Sequence, residues 1–481
     1  MVTGSTRKQL AAMAMMTLAI PAAADDGLGI RVYSTDAVTQ FQQPRLPDVV
    51  PGDPVARRKW AQALAFDATV YGTASVLQYV QLHQQAVDAK APDYTGFNRF
   101  AHGRELAAPG YQAFKSPNAD TLYSNAWLDL RAGPMLFTVP DTQGRYYTAN
   151  FIDMYANASN IGARTFGTRA GRYLIATADW QGKVPAGAKL FRVSTPHAWI
   201  LLRILATDKA DIARATALQD RFQLAPLAKA APAPLDYPPP DADTALGFFR
   251  ILDFVLRTNG YPASEQALVA RYRGIGIAGA AAFADAAKDP EIRAGLEAGF
   301  AEAQQVIKAS LSQGGRMVNG WRETGDKGRY GANFLYRSVI TTLGTGSNVS
   351  DESTSFTTFA DASGQPLDGA TGQYRLVLSP PPPVRFFWSV TVYDARTKEL
   401  HPNPIGRYLI NDRTPGLAYQ PDGSVVINLQ TAQPAGAAAA NWLPVPAGPF
   451  YLGLRAYGPT PEVTEGKWAP NPVERVQAPL P

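Results

Sequence analysis

The sequence predicts an α+β protein in which two antiparallel, β-rich units, sandwich- or jelly-roll-like, are separated by a helical segment. Apolar and polar residues alternate from Leu122 to Leu130 and again from Arg385 to Tyr393, which is typical of strands. Between these runs the composition becomes rich in alanine, and helix-capping residues precede apolar periodic stretches. Turns such as Pro421-Asp422-Gly423 separate the later strand candidates at spacings that suit a sandwich.

These shifts in composition predict five segments along the chain. Residues 1–24 are expected to be a signal peptide, and residues 25–115 an N-terminal arm followed by helices. Residues 116–206 should form the first β-rich domain, and residues 207–313 the helical segment. Residues 314–481 should form the second β-rich, jelly-roll-like domain with a proline-rich tail.

The N-terminus has the order of a secretory signal peptide. Arg7 and Lys8 precede an apolar run from Leu10 to Ile20, and small residues ending at Ala24 follow it. The apolar run is too short to cross a bilayer, which needs about 20 residues. We therefore expect cleavage after Ala24, a periplasmic or secreted protein, and no transmembrane span once the signal is removed.

Composition excludes several classes of function. The chain has no cysteine, which excludes disulfides, thiolate catalysis and cysteine-based metal sites. Its formal net charge of +5 is spread without basic runs interleaved with aromatic residues, so no nucleic-acid partner is expected. The four histidines are far apart and form no metal-binding motif, so we predict no metal site, and no cofactor is evident. The partners that remain are a small-molecule ligand and a further copy of the chain in a homo-oligomer.

The densest group of aromatic, amide and carboxylate side chains lies in residues 116–155. From Leu122 to Leu130 one strand face is mostly apolar, whereas the other face carries Tyr123, Asn125 and Trp127. A turn at residues 140–144 predicts an antiparallel hairpin between strands at 135–139 and 145–153. This arrangement would allow Asp120 and Asp153 to approach each other at one end of the sheet.

Asp120 and Asp153 are the candidate catalytic residues. Two carboxylates in a partly dry cleft can have their pKa values pushed apart, which provides one acid and one base. Alternatively, Asp120 caps its turn and Asp153 accepts hydrogen bonds from the backbone or an arginine.

The candidate ligand-binding residues combine rigid aromatic surface with polar groups, although the same aromatic residues would also suit a core. Arginine matches an anionic group in bidentate fashion, so Arg203, Arg337 and Arg455 could hold an anion or form structural ion pairs. The full predicted ligand-binding set is Tyr123, Asn125, Trp127, Tyr147, Tyr155 and Arg337.

Several motifs resemble a known pair of bacterial domains. The stretches SPNADTLYSNAWLDL and RYYTANFIDMY resemble the domain of unknown function catalogued as 1254. The stretches FFWSVTVYD, NPIGRYLI and NWLPVPAGPFYLGLRAYGP resemble its usual partner, catalogued as 1214. The resemblance implies a secreted or periplasmic protein with a β-rich domain, a helical portion and a jelly-roll-like domain. It implies no particular activity, cofactor or catalytic residue.

Two functional hypotheses follow. The chain has no G-x-S-x-G elbow, which favours an exported protein that binds a small molecule or a subunit partner through an aromatic and carboxylate cleft. The alternative is an exported hydrolase that uses the two aspartates for acid-base chemistry.

Overall fold

The computed structural model describes residues 24–25, 31–32, 49–111, 116–207, 209–227, 231–279 and 283–476. Residues 1–23 of the expected signal peptide lie outside these ranges. The two-residue strands β1 (Ala24–Asp25) and β2 (Arg31–Val32) pair with each other in antiparallel fashion.

The first β-rich region is built from two sheets. One sheet has the order β3-β4-β10-β6-β7, and the other has the order β11-β5-β8-β9. All neighbouring strands in them are antiparallel except β8 and β9. The strands are β3 (Ala101–His102), β4 (Thr121–Asp129), β5 (Met135–Val139), β6 (Tyr147–Asp153), β7 (Ala158–Gly162), β8 (Gly171–Thr177), β9 (Lys189–Val193), β10 (His197–Leu205) and β11 (Gln223–Pro226).

The two sheets face each other across an apolar core. Leu122 on β4, Ile200 on β10 and Phe137 on β5 are all buried in it. The predicted alternation on β4 is therefore confirmed, because Leu122 and Tyr123 point to opposite faces. The predicted hairpin between residues 135–139 and 145–153 is wrong, since β5 and β6 belong to different sheets.

Helices cover part of the other face of the five-stranded sheet. The 29-residue helix α1 lies against this sheet and contacts α4, α7 and α8. Its first turn is capped by the Asp53 side chain, and α4 is capped by Thr244 as its sequence predicts. The helices are α1 (Pro54–Leu82), α2 (Ala163–Phe166), α3 (Lys209–Gln219), α4 (Ala245–Asn259), α5 (Gln266–Arg271), α6 (Phe283–Ala286), α7 (Pro290–Ser310), α8 (Phe334–Leu343) and α9 (Pro461–Thr464).

The second β-rich region is also a two-sheet sandwich. A six-stranded sheet, β12-β13-β14-β20-β16-β17, packs on a four-stranded sheet, β19-β18-β15-β21. Trp388, Leu452 and Ile427 lie in the apolar core between them. The strands are β12 (Arg316–Val318), β13 (Trp321–Thr324), β14 (Ser353–Thr358), β15 (Gln373–Leu378), β16 (Val384–Asp394), β17 (Leu409–Asn411), β18 (Val425–Gln430), β19 (Trp442–Pro444), β20 (Phe450–Pro459) and β21 (Val473–Val476).

The outer face of the six-stranded sheet meets the first sandwich. Tyr146 donates a hydrogen bond to the Glu352 carboxylate at 2.8 Å, and its ring packs against Phe387 and Tyr457. The α+β fold with two β-rich regions is thus confirmed. No helix in the described part of the chain is both long and apolar enough to cross a membrane.

Candidate functional site

A cleft of about 460 Å³ lies where the two sandwiches face each other. One wall is formed by the exposed face of β4 and β10, and the opposite wall by alternate residues of β13, β14 and β20. The last turn of α8 and the segment at residues 344–348, which follows it, contribute a third side. The alternation of each strand explains this arrangement, because residues such as Leu454 and Phe356 fill the sandwich core while their neighbours point outward.

The charged residues that line the cleft are all cations: Arg203, Arg322, Lys327, Lys398 and Arg455. No aspartate or glutamate is among the lining residues, and none of these five cations forms an ion pair with another described residue. The carboxylates predicted for the cleft are therefore not among its described lining residues, whereas Arg203 and Arg455, which the sequence offered as possible anion holders, are.

Arg455 projects from β20 of the second sandwich and is held by neutral acceptors. Its Nη1 donates to the Tyr393 hydroxyl at 2.8 Å, and its Nη2 donates to the Ser116 carbonyl at 2.8 Å. It lies directly across from Ser355 in the β14–β20 ladder, so both side chains point into the cleft.

Arg203 lies on the opposite wall and is also held by neutral acceptors. Its Nη2 donates to the Gly346 carbonyl at 2.9 Å, and its Nη1 donates to Asn348 Oδ1 at 3.2 Å. Its guanidinium lies 5.4 Å from the centre of the Tyr123 ring, its cross-strand neighbour on β4. Sequence analysis left open whether Arg203 and Arg455 form structural ion pairs, and the structure shows none for either within the described residues.

Lys327 is the most buried lysine of the cleft, with 7% of its surface exposed. Its Nζ donates to Ser355 Oγ at 3.0 Å. Burial, together with the positive charges of Arg455 and Arg203, lowers the pKa of Lys327 to about 7. At neutral pH the amine is therefore present in both its charged and its neutral form.

The predicted meeting of Asp120 and Asp153 does not occur. Both β4 and β6 run antiparallel to β10, which lies between them, so β4 and β6 are parallel to each other. Asp153 lies opposite Ala198 at one end of β10, whereas Asp120 precedes the residue that faces Leu205 at the other end. Asp120 is therefore eight residue positions from Asp153 along the sheet, which at about 3.3 Å per residue is about 26 Å.

The two aspartates also have different surroundings. The Asp153 carboxylate accepts hydrogen bonds from the backbone N–H groups of Tyr155 and Asn157 at 2.8 and 2.9 Å, as the alternative interpretation expected. Asp120 is buried, and burial raises its pKa to about 6, although the charge of Arg455 and contacts with Ser389 and Asn118 act in the opposite direction. Neither residue lines the cleft, and a catalytic role for either stays a prediction.

Of the predicted ligand-binding residues, Tyr123 lines the cleft. Its neighbours on the same strand face lie farther along β4: Asn125 accepts a hydrogen bond from the Trp199 indole, and Trp127 stacks on Trp199 at 5.6 Å. Trp127 also donates to Gln85 Oε1 at 3.0 Å and is buried beneath the helices.

The other three predicted ligand-binding residues lie elsewhere. Tyr147 points into the core between the sheets of the first sandwich. Tyr155 and Arg337 lie together in a buried cluster beside α1, where the guanidinium is 5.7 Å from the Tyr155 ring and donates to the Tyr71 carbonyl at 2.8 Å. The structure places all three outside the cleft.

Sequence analysis missed Lys327, Arg322 and Ser355. Lys327 lies in the loop Gly325-Asp326-Lys327-Gly328, whose glycines could have marked a backbone held in an unusual conformation. Gly328 has a φ of +71°, and its carbonyl accepts a hydrogen bond from the N–H of Ala158 on β7 at 2.9 Å. The loop is therefore fixed against the first sandwich, a contact that local sequence does not encode.

Comparisons with known proteins confirm the resemblance that the motifs indicated. Residues 97–226 match the family model described as "Protein of unknown function (DUF1254)", and residues 352–461 match "Protein of unknown function (DUF1214)". The chain thus carries both domains, in the expected order. No curated protein matches it.

One of the solved structures similar to this chain shares its fold. The crystal structure of the VPA0106 protein from Vibrio parahaemolyticus is 26% identical, covers 87% of this chain and 100% of its own, and superposes with a TM-score of 0.71. A putative uncharacterized protein from Burkholderia cenocepacia is 14% identical over 89% of this chain and 91% of its own, with a TM-score of 0.43.

Proposed function

We propose that this chain is an exported protein that binds a small anionic molecule in the cleft between its two sandwiches. One observation carries the proposal: Arg203, Lys327 and Arg455 converge on the cleft, and no described carboxylate forms an ion pair with any of them. Taking a charge out of water is costly unless an opposite charge compensates it. The buried Asp120 carboxylate compensates part of the Arg455 charge, and a carboxylate or phosphate on the ligand would supply the rest.

The remaining lining residues indicate what else the ligand carries. Tyr123 and Trp199 present aromatic surface on one wall, and Phe359 stacks on Tyr451 at 4.7 Å on the other. Ser353 and Ser355 add hydroxyl groups beside the cations. A cleft of about 460 Å³ with this mixture suits a small molecule that has one anionic group and an apolar body.

Calorimetric titration of the whole chain with lactate, benzoate and phosphate tests the proposal and separates carboxylates from phosphate. We expect saturable binding of at least one of the three, weakened about tenfold or more by Arg455→Met, because a charge-assisted hydrogen bond contributes about 1.5–3 kcal/mol. Arg322→Gln provides a second, less buried substitution in the same cleft.

Arg329→Gln is the matched control, since Arg329 is exposed and pairs with Asp351 outside the lining residues. This control should bind as the wild type does. Absence of saturable binding of all three anions to the folded wild-type chain would exclude the proposed function.

Export is the second part of the proposal, and the signal-like order of residues 1–24 supports it. Expressed with its natural N-terminus in a bacterium with an outer membrane, the chain should be recovered from the periplasm or medium. Its first residue should then be Asp25. An intact chain that begins at Met1 and stays in the cytoplasm would contradict export.

The alternative of a hydrolase that uses Asp120 and Asp153 as acid and base has less support. Its mechanism requires the two carboxylates to flank one bond, at most about 10 Å apart. The positions of β4 and β6 on either side of β10 place them at opposite ends of the sheet.

A further inference from the structure

We propose that Lys327 is a nucleophile that forms an imine with the carbonyl carbon of a small oxo acid bound in the cleft. The inference rests on the proposed anion-binding function and names the ligand class, namely carboxylates that also carry an aldehyde or ketone. In this arrangement Arg203 and Arg455 bind the carboxylate of the ligand, and Lys327 reacts with its carbonyl group.

The position of Lys327 is unusual for a lysine. The side chain is more than nine-tenths buried, yet it lines the cleft. Its charged neighbours are Arg455 on β20 and Arg203 on β10, and both are positive. Its hydrogen-bond partner is Ser355 Oγ, and no carboxylate among the described residues lies within ion-pair distance. A structural lysine normally finds a carboxylate when it is buried, whereas a lysine next to other cations is the pattern of an activated amine.

The amine is also held in place before any ligand arrives. The backbone N–H of Lys327 donates to Ser350 Oγ at 3.2 Å, and the adjacent Gly328 carbonyl accepts from Ala158 on the first sandwich. A side chain at position 328 would contact the Ala158 Cβ at 2.8 Å, so the glycine permits this close approach. The loop is thus fixed at both sandwiches, and Nζ is fixed by Ser355.

The covalent step balances with groups that the cleft provides. The lone pair of neutral Nζ attacks the carbonyl carbon and forms a C–N bond, while the electron pair of the C=O bond moves to oxygen. Proton transfer from nitrogen to that oxygen gives a carbinolamine, and loss of one water then gives the C=N bond. Ser355 Oγ, at 3.0 Å from Nζ, is placed to pass this proton. The step needs no oxidant or reductant, and it is reversible by addition of water.

The hydrogen bond between Lys327 Nζ and Ser355 Oγ could instead serve a reaction in which Ser355 is the nucleophile and Lys327 is its base. That reaction needs donors arranged around a developing oxyanion as well as the pair itself. Imine formation needs only the neutral amine and a bound carbonyl compound, so it is the chemistry for which the described groups suffice.

Reductive trapping tests the inference on the whole chain. The protein is incubated with glyoxylate at pH 7, quenched with borohydride, digested and mapped by mass spectrometry. We expect one carboxymethyl group on the Lys327 peptide at an occupancy at least tenfold above that of Lys398, an exposed lysine that lines the same cleft. Lys327→Met should remove this label, and Lys327→Arg should do the same while keeping a positive charge.

The pH dependence of trapping separates an activated amine from an ordinary one. With a pKa of about 7, the neutral fraction of Lys327 rises only about twofold between pH 7 and pH 9. A lysine with the ordinary pKa of about 10.4 would gain about 100-fold over the same interval. Labelling of Lys327 that rises about 100-fold would overturn the inference even if some adduct forms.

The outcomes distinguish this inference from the proposed function. Saturable lactate binding without a Lys327 adduct would overturn the imine and leave the anion site intact. No binding of lactate, benzoate or phosphate, together with no selective adduct, would overturn both. Selective labelling of Lys327 that excess lactate suppresses is the result that the inference requires.

Discussion

Asp120 is a buried carboxylate that immediately precedes β4. Burial raises its pKa to about 6, and the nearby positive charge of Arg455 offsets only part of that effect. The folded chain therefore holds the proton of the Asp120 carboxyl group more tightly than the unfolded chain does. As a result, Asp120 makes the free energy of unfolding depend on pH. Below about pH 4 the carboxyl is protonated in both states, and above about pH 6 it is ionised in both.

The free energy of unfolding should therefore fall as pH rises through this interval, by about 3 kcal/mol on account of Asp120 alone. Asp120→Asn should remove that part of the slope. Denaturant unfolding of wild type and variant at pH 4, 5, 6 and 7 measures the difference. Asp285→Asn, which removes an exposed carboxylate on α6, should keep the wild-type slope. If the free energies of unfolding of the wild type and Asp120→Asn change with pH in the same way, the raised pKa of Asp120 is contradicted.

For individual residues, the sequence predicted which side chains share a strand face better than it predicted which of them line the cleft. The period of two on β4 correctly separated Leu122 from Tyr123, because side-chain direction in a strand is a local property. It could not separate Tyr123, which lines the cleft, from Trp127, which the helices cover. That distinction depends on which elements pack over each part of the sheet, and no residue of β4 carries this information.

Helices α1 and α7 pack closely because two glycines of α7 face α1. A Cβ at Gly299 would lie 2.3 Å from the Gln62 carbonyl and 2.7 Å from the Phe66 nitrogen. A Cβ at Gly295 would lie 2.7 Å from the Arg58 carbonyl. These are backbone atoms of α1, so no rotamer change could relieve the overlap.

Gly299→Ala should destabilise the protein although alanine is the better helix former. The gain in helix propensity is about 1 kcal/mol, whereas forcing α7 away from α1 costs about 1–3 kcal/mol and opens gaps along the contact. Thermal unfolding should show a lower midpoint for this variant. Gly52→Ala is the matched control, because nothing lies within 4 Å of its added Cβ. Equal midpoints for both variants would exclude this close contact.

The sequence predicted the secondary-structure elements well, but it predicted poorly which strands pair with each other. The strands predicted around residues 122–130 and 385–393 are present, because the alternation of side chains along a strand depends on adjacent residues. The hairpin was wrong because a turn between two strands does not determine whether they share a sheet. β10, which follows both strands in the chain, pairs with β4 on one side and with β6 on the other and so separates them.

The cleft exists only in the whole molecule, because each sandwich supplies part of its charge. Arg203 comes from the first sandwich and Arg455 from the second, while Lys327 lies on the loop that joins them through Gly328. The resemblance to the paired domains located both halves in the sequence. It did not predict that their facing walls are positive, since residues 203, 327 and 455 become neighbours only when the sheets meet.

This shared charge predicts opposite pH trends for two small ligands. Lactate, which has no carbonyl carbon for an amine to attack besides its carboxylate, should bind about tenfold more weakly at pH 8.5 than at pH 6. The reason is that Lys327 loses its positive charge through its pKa of about 7, while Arg203 and Arg455 stay charged. Trapped glyoxylate should increase over the same range, because imine formation needs the neutral amine. Calorimetry and borohydride trapping in the same buffers measure the two trends, and Lys327→Met should flatten the first and abolish the second. If lactate affinity in the wild type is independent of pH, Lys327 does not contribute its charge to the anion site.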